Sequence, residues 1–253
     1  MTLDPIPPSA LAFTLQVERL YAALLHSAET REQEPSLGGK LLYVGELGPH
    51  GRALLVAGNI AGAASLAATA DVAVQKQSIR EGVADFLVNS LGEALRILKN
   101  EIRKRETVAV CVAAAPAAVE LEMLERGVLP DLLPPIEIPD VENGQVLISW
   151  RVAAAPAQWL PKLDRIALDC LNELPNPESA AVRRWLRLAP RYLGRLAQGL
   201  RLLHCEPGVA KRFVARAGEA VQRGEIAVEV EITLNAGEEP LRLHPPTSSA
   251  PHP

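Results

Sequence analysis

Short apolar runs alternate with amphipathic stretches over residues 36–133, the arrangement that parallel strands and their crossover helices impose on a sequence. Leu41-Leu42-Tyr43-Val44-Gly45 has the length of a buried strand, and an Ala-rich apolar helix is expected behind it. Asp85-Phe86-Leu87-Val88 is a further strand candidate. It precedes Ser90-Leu91-Gly92-Glu93, the S-x-x-E spacing of a capping box, in which the serine hydroxyl and glutamate carboxylate satisfy free backbone N–H groups. Leu91, Ala94, Leu95, Leu98 and Ile102 then recur at helical spacing, so this helix lays one stripe on a sheet. Glu93, Arg96, Lys99, Asn100, Arg103 and Lys104 are left to its solvated face. Residues 107–113 are β-branched and free of charge, as in a strand covered on both sides. A helix over 116–126 ends at Gly127, a natural C-cap, and 128–133 leads into the next strand or turn. The expected fold is α/β, a Rossmann-like doubly wound parallel sheet.

The pattern changes after Leu133. Residues 145–152 read as a strand, 158–172 as a helix, and 175–178 as a break before a second helical stretch that Pro190 interrupts. Leu193, Leu196, Leu200 and Leu203 extend that stretch as an apolar stripe. In 226–234 the alternation of Ile226, Val228, Val230 and Ile232 implies one solvated face, hence an antiparallel or edge strand. The organisation expected is an N-terminal arm and helix (1–35), a core (36–133), an extension of helices and a strand completing the same compact unit (134–237), and a flexible tail (238–253).

Composition narrows the class. A chain of 253 residues with 48% hydrophobic and 4% aromatic content suits one Ala/Leu/Val-rich α/β core. No run is apolar enough to span a bilayer, and the N-terminal Met1-Thr2-Leu3-Asp4-Pro5 lacks the basic and apolar regions of a signal peptide, so a cytoplasmic protein without membrane contact is expected. Three scattered cysteines give neither a disulfide framework nor metal spacing. His244 and His252 read as solvated tail residues, and no metal is expected. A net charge of −4 gives no reason to expect nucleic acid.

Candidate chemistry begins at Glu46-Leu47-Gly48-Pro49-His50-Gly51-Arg52, where Gly48 and Gly51 have the spacing of the last two glycines of G-x-G-x-x-G. In that motif glycines let backbone N–H groups approach a pyrophosphate at a helix start. Glu46 stands at the first glycine position and brings a like charge, while Pro49 removes a donor. Gly48, Gly51 and Arg52 are the candidate anion or cofactor contacts, beside the plain reading of the loop as a turn.

Residues 36–133 resemble the NAD-binding Rossmann domain of urocanate hydratase (urocanase). Ser36-Leu37-Gly38-Gly39-Lys40-Leu41, Leu47-Gly48, Gly51, Gly62, Asp85 with Ser90-Leu91-Gly92-Glu93-Ala94-Leu95, and Leu124-Glu125-Arg126-Gly127-Val128-Leu129-Pro130-Asp131 carry the resemblance, and a weaker likeness returns at 213–232. The resemblance implies NAD held by a glycine-rich loop, an acid ending the second strand, an arginine soon after it, and an asparagine after a later strand. The matching positions here are Glu46 and Pro49, Thr69, Val74 and Ala115. The polar active-site loop of the family aligns with Pro134-Pro135-Ile136-Glu137-Ile138-Pro139-Asp140 and keeps none of its side chains. The family's catalytic cysteine belongs to a later domain, so Cys111, Cys170 and Cys205 have no claim to that role. No catalytic residue is expected, and NAD is expected only if the degenerate loop still binds it.

One local feature stands apart. Arg183, Arg184, Arg187, Arg191, Arg195, Arg201, Lys211, Arg212 and Arg216 cluster with Glu206 as the one acid among them. Arg184, Arg187, Arg191 and Arg195 share helical spacing and form a candidate ridge for an anion or a partner, or a solvated face balanced by acids from elsewhere. Three functions of different class follow: a non-catalytic urocanase-like protein with a structural or regulatory role, forming a homodimer or associating with a true urocanase; a nucleotide or small-anion binding module using the degenerate loop; and an enzyme with chemistry of its own.

Overall fold

The computed structural model describes residues 8–27, 35–136, 144–173, 179–235 and 238–246. Along the chain these form α1 (Pro8–Ser27), β1 (Leu41–Glu46), α2 (Pro49–Ala61), β2 (Ala64–Ala68), α3 (Val72–Glu81), β3 (Phe86–Val88), α4 (Leu91–Lys104), β4 (Val108–Val112) and α5 (Pro116–Glu125). There follow β5 (Val146–Val152), α6 (Pro156–Glu173), α7 (Ser179–Leu193), β6 (Arg201–Cys205), α8 (Pro207–Gln222), β7 (Val230–Leu234) and β8 (Leu241–Leu243). The chain divides into two compact units, one of residues 12–139 with 187–196, the other of 1–11, 140–186 and 197–253.

The first unit carries a parallel sheet, as the sequence predicts, and its strand order is β1-β2-β4-β3. One face buries Tyr43, Leu66, Val110 and Val112 under Leu91, Ala94 and Leu98 of α4 and Val119 and Met123 of α5. The other receives α2, whose Gly51 and Gly58 lie against Val44, Leu42 and Ser65. Helices on both faces make the sheet doubly wound. The capping box forms in modified shape: Ser90 Oγ accepts from the Glu93 N–H at 3.3 Å, while the Glu93 carboxylate reaches the N–H of Asn89 at 3.0 Å. Beyond β1, Leu132 makes an isolated parallel bridge to Leu42, and Asp131 accepts from the Leu41 N–H at 2.8 Å and pairs with Lys40 at 3.1 Å. Residues 128–133 therefore close the β1 edge.

The second unit corrects the expected extension. Residues 187–196 group with the first unit, but the strands after residue 144 build a separate four-stranded antiparallel sheet of order β6-β5-β7-β8. Trp150 on β5 lies 4.7 Å from the Phe213 ring of α8 and donates to Asp164 on α6 at 3.1 Å. The strand expected over 226–234 spans Val230–Leu234, is antiparallel as predicted, and is flanked by β5 and β8, so it is no edge. Its strict alternation arises because Val230 and Ile232 are buried while Glu231 pairs on the opposite face with Arg151 at 2.7 Å. The apolar stripe past Pro190 is also corrected. Helix α7 runs through Pro190 and stops before Gly194 at φ 45°, while Leu203 belongs to β6, a strand the helical spacing hid. The tail expected to be loose supplies β8. Residues 1–7, 175–178 and 247–253 of the predicted arm, break and tail lie outside the described residues, as does His252. Among the described residues, no helix is long and apolar enough to cross a membrane.

A Cβ on Gly51 would overlap the backbone carbonyl oxygen of Glu46, whereas one on Gly48 would meet nothing within 4 Å. Gly51→Ala is thus expected to cost about 1–3 kcal/mol through overpacking. Gly48→Ala, at a helix N-cap, should cost less than about 1 kcal/mol. Urea denaturation of the two variants checks the order; equal midpoints would contradict it.

Candidate functional site

In an open doubly wound sheet, ligands bind beyond the carboxyl ends of the strands, where the following helices switch faces. Here β3 and β4 lead into α4 and α5 on one face, while β1 leads into α2 on the other. Arg52 of α2 pairs with Glu81 of α3, which places α3, the helix after β2, beside α2. The switch therefore falls between β2 and β4, next to Thr69 and Ala113, with the β1–α2 turn alongside.

The β1–α2 turn is built around backbone that only glycine tolerates well. Gly45 has φ 79°, and the β1–β2 register slips between Tyr43 and Gly45. The slip brings Glu46 opposite Ala68 as Tyr43 is opposite Leu66, which puts both on the same face of the sheet. Sequence reasoning missed this glycine, whose position one residue before Glu46 signals a bulge. The Glu46 side chain is exposed at the strand end and makes no hydrogen bond or ion pair among the described residues. Its charge reaches inward: burial first, then the hydrogen bond to Glu120 at 3.0 Å, then the carboxylates of Glu120 and Glu46 push the Tyr43 phenol well above its ordinary range.

Gly48 is the N-cap of α2, makes no side-chain cap bond and is followed by Pro49, with open space above its Cα. Gly51 is spent on helix–strand packing, the role of the last glycine in dinucleotide loops. Arg52 is half-buried and engaged with Glu81, its Nε left without a hydrogen-bond partner. Thr69 is buried; its hydroxyl accepts from the Asp71 N–H at 3.3 Å and its carbonyl from Gln75 Nε2 at 2.9 Å. Asp71, unnoticed in the sequence, is an acid two residues past the expected position. Its carboxylate caps α3 through the N–H groups of Ala73 at 2.7 Å and Val74 at 3.3 Å. Ala115 is an exposed N-cap with no side-chain bond, and Val74 is half-buried on α3. Pro134 to Ile136 follow the bridge at Leu132, while 137–140 of the expected active-site segment lie outside the described residues.

Residues 17–135 match the family model of the urocanase Rossmann-like domain. The urocanase match starts within α1, earlier than residue 36, and ends before 213–232. This segment resembles the NAD-binding domain of urocanases, and that domain binds NAD in general. The residues at the crevice do not fit the dinucleotide. An exposed carboxylate, Glu46, ends β1 where the loop's first glycine is expected, the nearby Arg52 is held by Glu81, and Asp71, two residues past Thr69, is occupied as a helix cap.

The arginine ridge is only partly continuous. Arg184, Arg187 and Arg191 lie on α7, with Arg184 half-buried and Arg187 and Arg191 exposed; Arg195 is exposed in the turns that follow. The Arg191 guanidinium stands 5.3 Å from the Tyr192 ring centre. Others of the cluster are balanced from within their own unit: Arg201 by Asp164 at 3.1 Å, and Arg216 and Arg212 by Glu173 at 2.6 and 3.4 Å.

All three cysteines are buried and free. Burial, with Glu46 adding to it, pushes the Cys111 thiol up to about 11; burial pushes Cys205 up to about 12 and Cys170 in the same direction. Thiol reagents at pH 8 should leave the native protein unmodified and label it after unfolding, and rapid native labelling would contradict this burial. Unfolding frees the Cys111 thiol toward the ordinary value of 9.0, so its contribution is fully present below pH 9.0 and is lost as pH rises toward about 11. Urea titrations should show the protein less stable at pH 10 than at pH 8, by about 1 kcal/mol each for Cys111 and Cys205.

Proposed function

We propose that this is a non-catalytic urocanase-like protein with a structural or regulatory role in the cytoplasm. The observation that carries the reading is Glu46, an unpaired carboxylate at the mouth of the crevice where a pyrophosphate would be received. An anion brought against the exposed Glu46 carboxylate is repelled, and Arg52, engaged by Glu81, does not offset it. A nucleotide or small-anion site at this loop is the second reading. It is favoured by the open space above Gly48 and the uncapped start of α2, and Glu46 and Pro49 oppose it.

Purified protein is expected to release no NAD on denaturation and to leave urocanate unchanged. Release of a 260 nm absorbing ligand identified as NAD, or hydration of urocanate, would overturn the reading.

The structural role includes self-association as a homodimer or binding to a true urocanase. The exposed Arg187, Arg191 and Arg195 support the charged part of such a contact. The strand once expected to offer an open edge does not support it, since β7 is flanked on both sides. Light scattering should show a dimer that weakens with salt. A monomer at every concentration rejects self-association, and a salt-insensitive dimer rejects the arginine contact.

A further inference from the structure

Glu229, just before β7, and Glu231, within it, are two residues apart and so lie on one face of the strand. Both carboxylates are withdrawn from solvent, with side chains 14% and 6% exposed. Arg151 of β5 reaches one oxygen of Glu231 at 2.7 Å. The other cations come from the C-terminal side. Arg242 Nε, on β8, stands 3.6 Å from Glu231 Oε2 and 3.9 Å from Glu229 Oε1, and His244 Nδ1 stands 3.8 Å from Glu229 Oε2. Among the described residues, Glu229 therefore meets no cation except those of the C-terminal segment. Glu229 Oε1 and Glu231 Oε2 are buried and accept no hydrogen bond, so attraction between charges is what ties them to Arg242.

Little else holds β8. It is three residues long, pairs with β7 alone and leaves Leu241 45% exposed. Leu243, its one half-buried side chain, lies over Gly218 of α8, where an added Cβ would meet it only at 4.0 Å. Without β8, a mostly buried carboxylate would lose its cation, which is costly. The backbone of β7 separates this contact from the rest of the sheet. The Ala153 N–H bonds the Glu229 carbonyl, and bonding alternates along an antiparallel ladder. Glu231 and Thr233 thus turn their N–H groups to β5, while Val230 and Ile232 turn theirs to β8.

We infer that β8 is a charge-latched strap, which leaves and re-covers the β7 edge while the rest of the antiparallel sheet stays formed, with Arg242 between Glu229 and Glu231 holding it closed. Opening bares the backbone groups of Val230 and Ile232, the kind of edge that pairs with another strand. The latch therefore governs whether this sheet presents a free edge. The inference does not depend on the non-catalytic reading.

Residue-resolved amide exchange by NMR on the full chain tests it, because the two sides of β7 report separately. Val230 and Ile232 are expected to exchange at least about tenfold faster than Glu231 and Thr233, after correction for intrinsic rates, and to be insensitive to about 1 M urea because little surface opens. Arg242→Gln should speed Val230 and Ile232 by about threefold or more and leave Glu231 and Thr233 unchanged. Arg242→Lys keeps the charge and should stay within about twofold of the parent, since no hydrogen bond to either carboxylate is lost. Protected Glu231 and Thr233 amides show in the same spectrum that each variant is folded. Equal exchange on the two sides of β7, or acceleration of both sides together in Arg242→Gln, means that β8 opens only with the sheet and overturns the strap. Unchanged Val230 and Ile232 in Arg242→Gln, or an equal acceleration in Arg242→Lys, overturns the charge latch.

Discussion

The close seat of α2 on the parallel sheet governs the geometry of everything at the carboxyl edge. Gly51 and Gly58 are seven residues apart, two helical turns, so both lie on the face turned to the strands. A side chain at Gly58 would strike Leu42 and Ser65, and one at Gly51 would strike the Glu46 carbonyl. The first turn of α2 must therefore sit directly against the end of β1. With the bulge at Gly45, that contact fixes where Glu46 points and leaves Gly48 bare above the turn. Packing demands the glycine at position 51 independently of any ligand, and makes no such demand at Gly48.

Around this scaffold, polar groups that could serve a ligand have been taken up by the chain itself. Arg52 is matched by Glu81, Asp71 and Thr69 secure the start of α3, and Glu120 receives the Tyr43 hydroxyl. Leaving a buried polar group without a partner costs about 1–3 kcal/mol, so the part-buried contacts among these, Arg52–Glu81 and Tyr43–Glu120, resist being exchanged for a ligand. Among the described residues, charge is left uncompensated at Glu46, at the crevice.

The sequence made the parallel core legible because its signals are local. The apolar run of β4, the Ser90 cap and Gly127 each act within a turn or a strand, and the structure places them as expected. The second sheet was obscured by long-range pairing. Leu196, Leu200 and Leu203 keep helical spacing by coincidence across a turn and a strand, and β7 looked like an edge because its neighbour β8 is three residues in a polar, proline-rich tail. At the candidate site the sequence identified Glu46, Gly48, Gly51 and Arg52 but not what occupies them. The Arg52–Glu81 pair spans two helices and the Gly45 bulge is a matter of register, neither of which a linear pattern encodes.

The central claim is that the urocanase-like scaffold persists while its crevice no longer receives a dinucleotide. Amide hydrogen exchange with and without millimolar NAD tests it directly, because a ligand at the strand ends must slow exchange where backbone N–H groups meet it. The account predicts unchanged exchange over residues 45–52, 69–75 and 113–117. Protection of the Gly48 to Arg52 turn on adding NAD would contradict it.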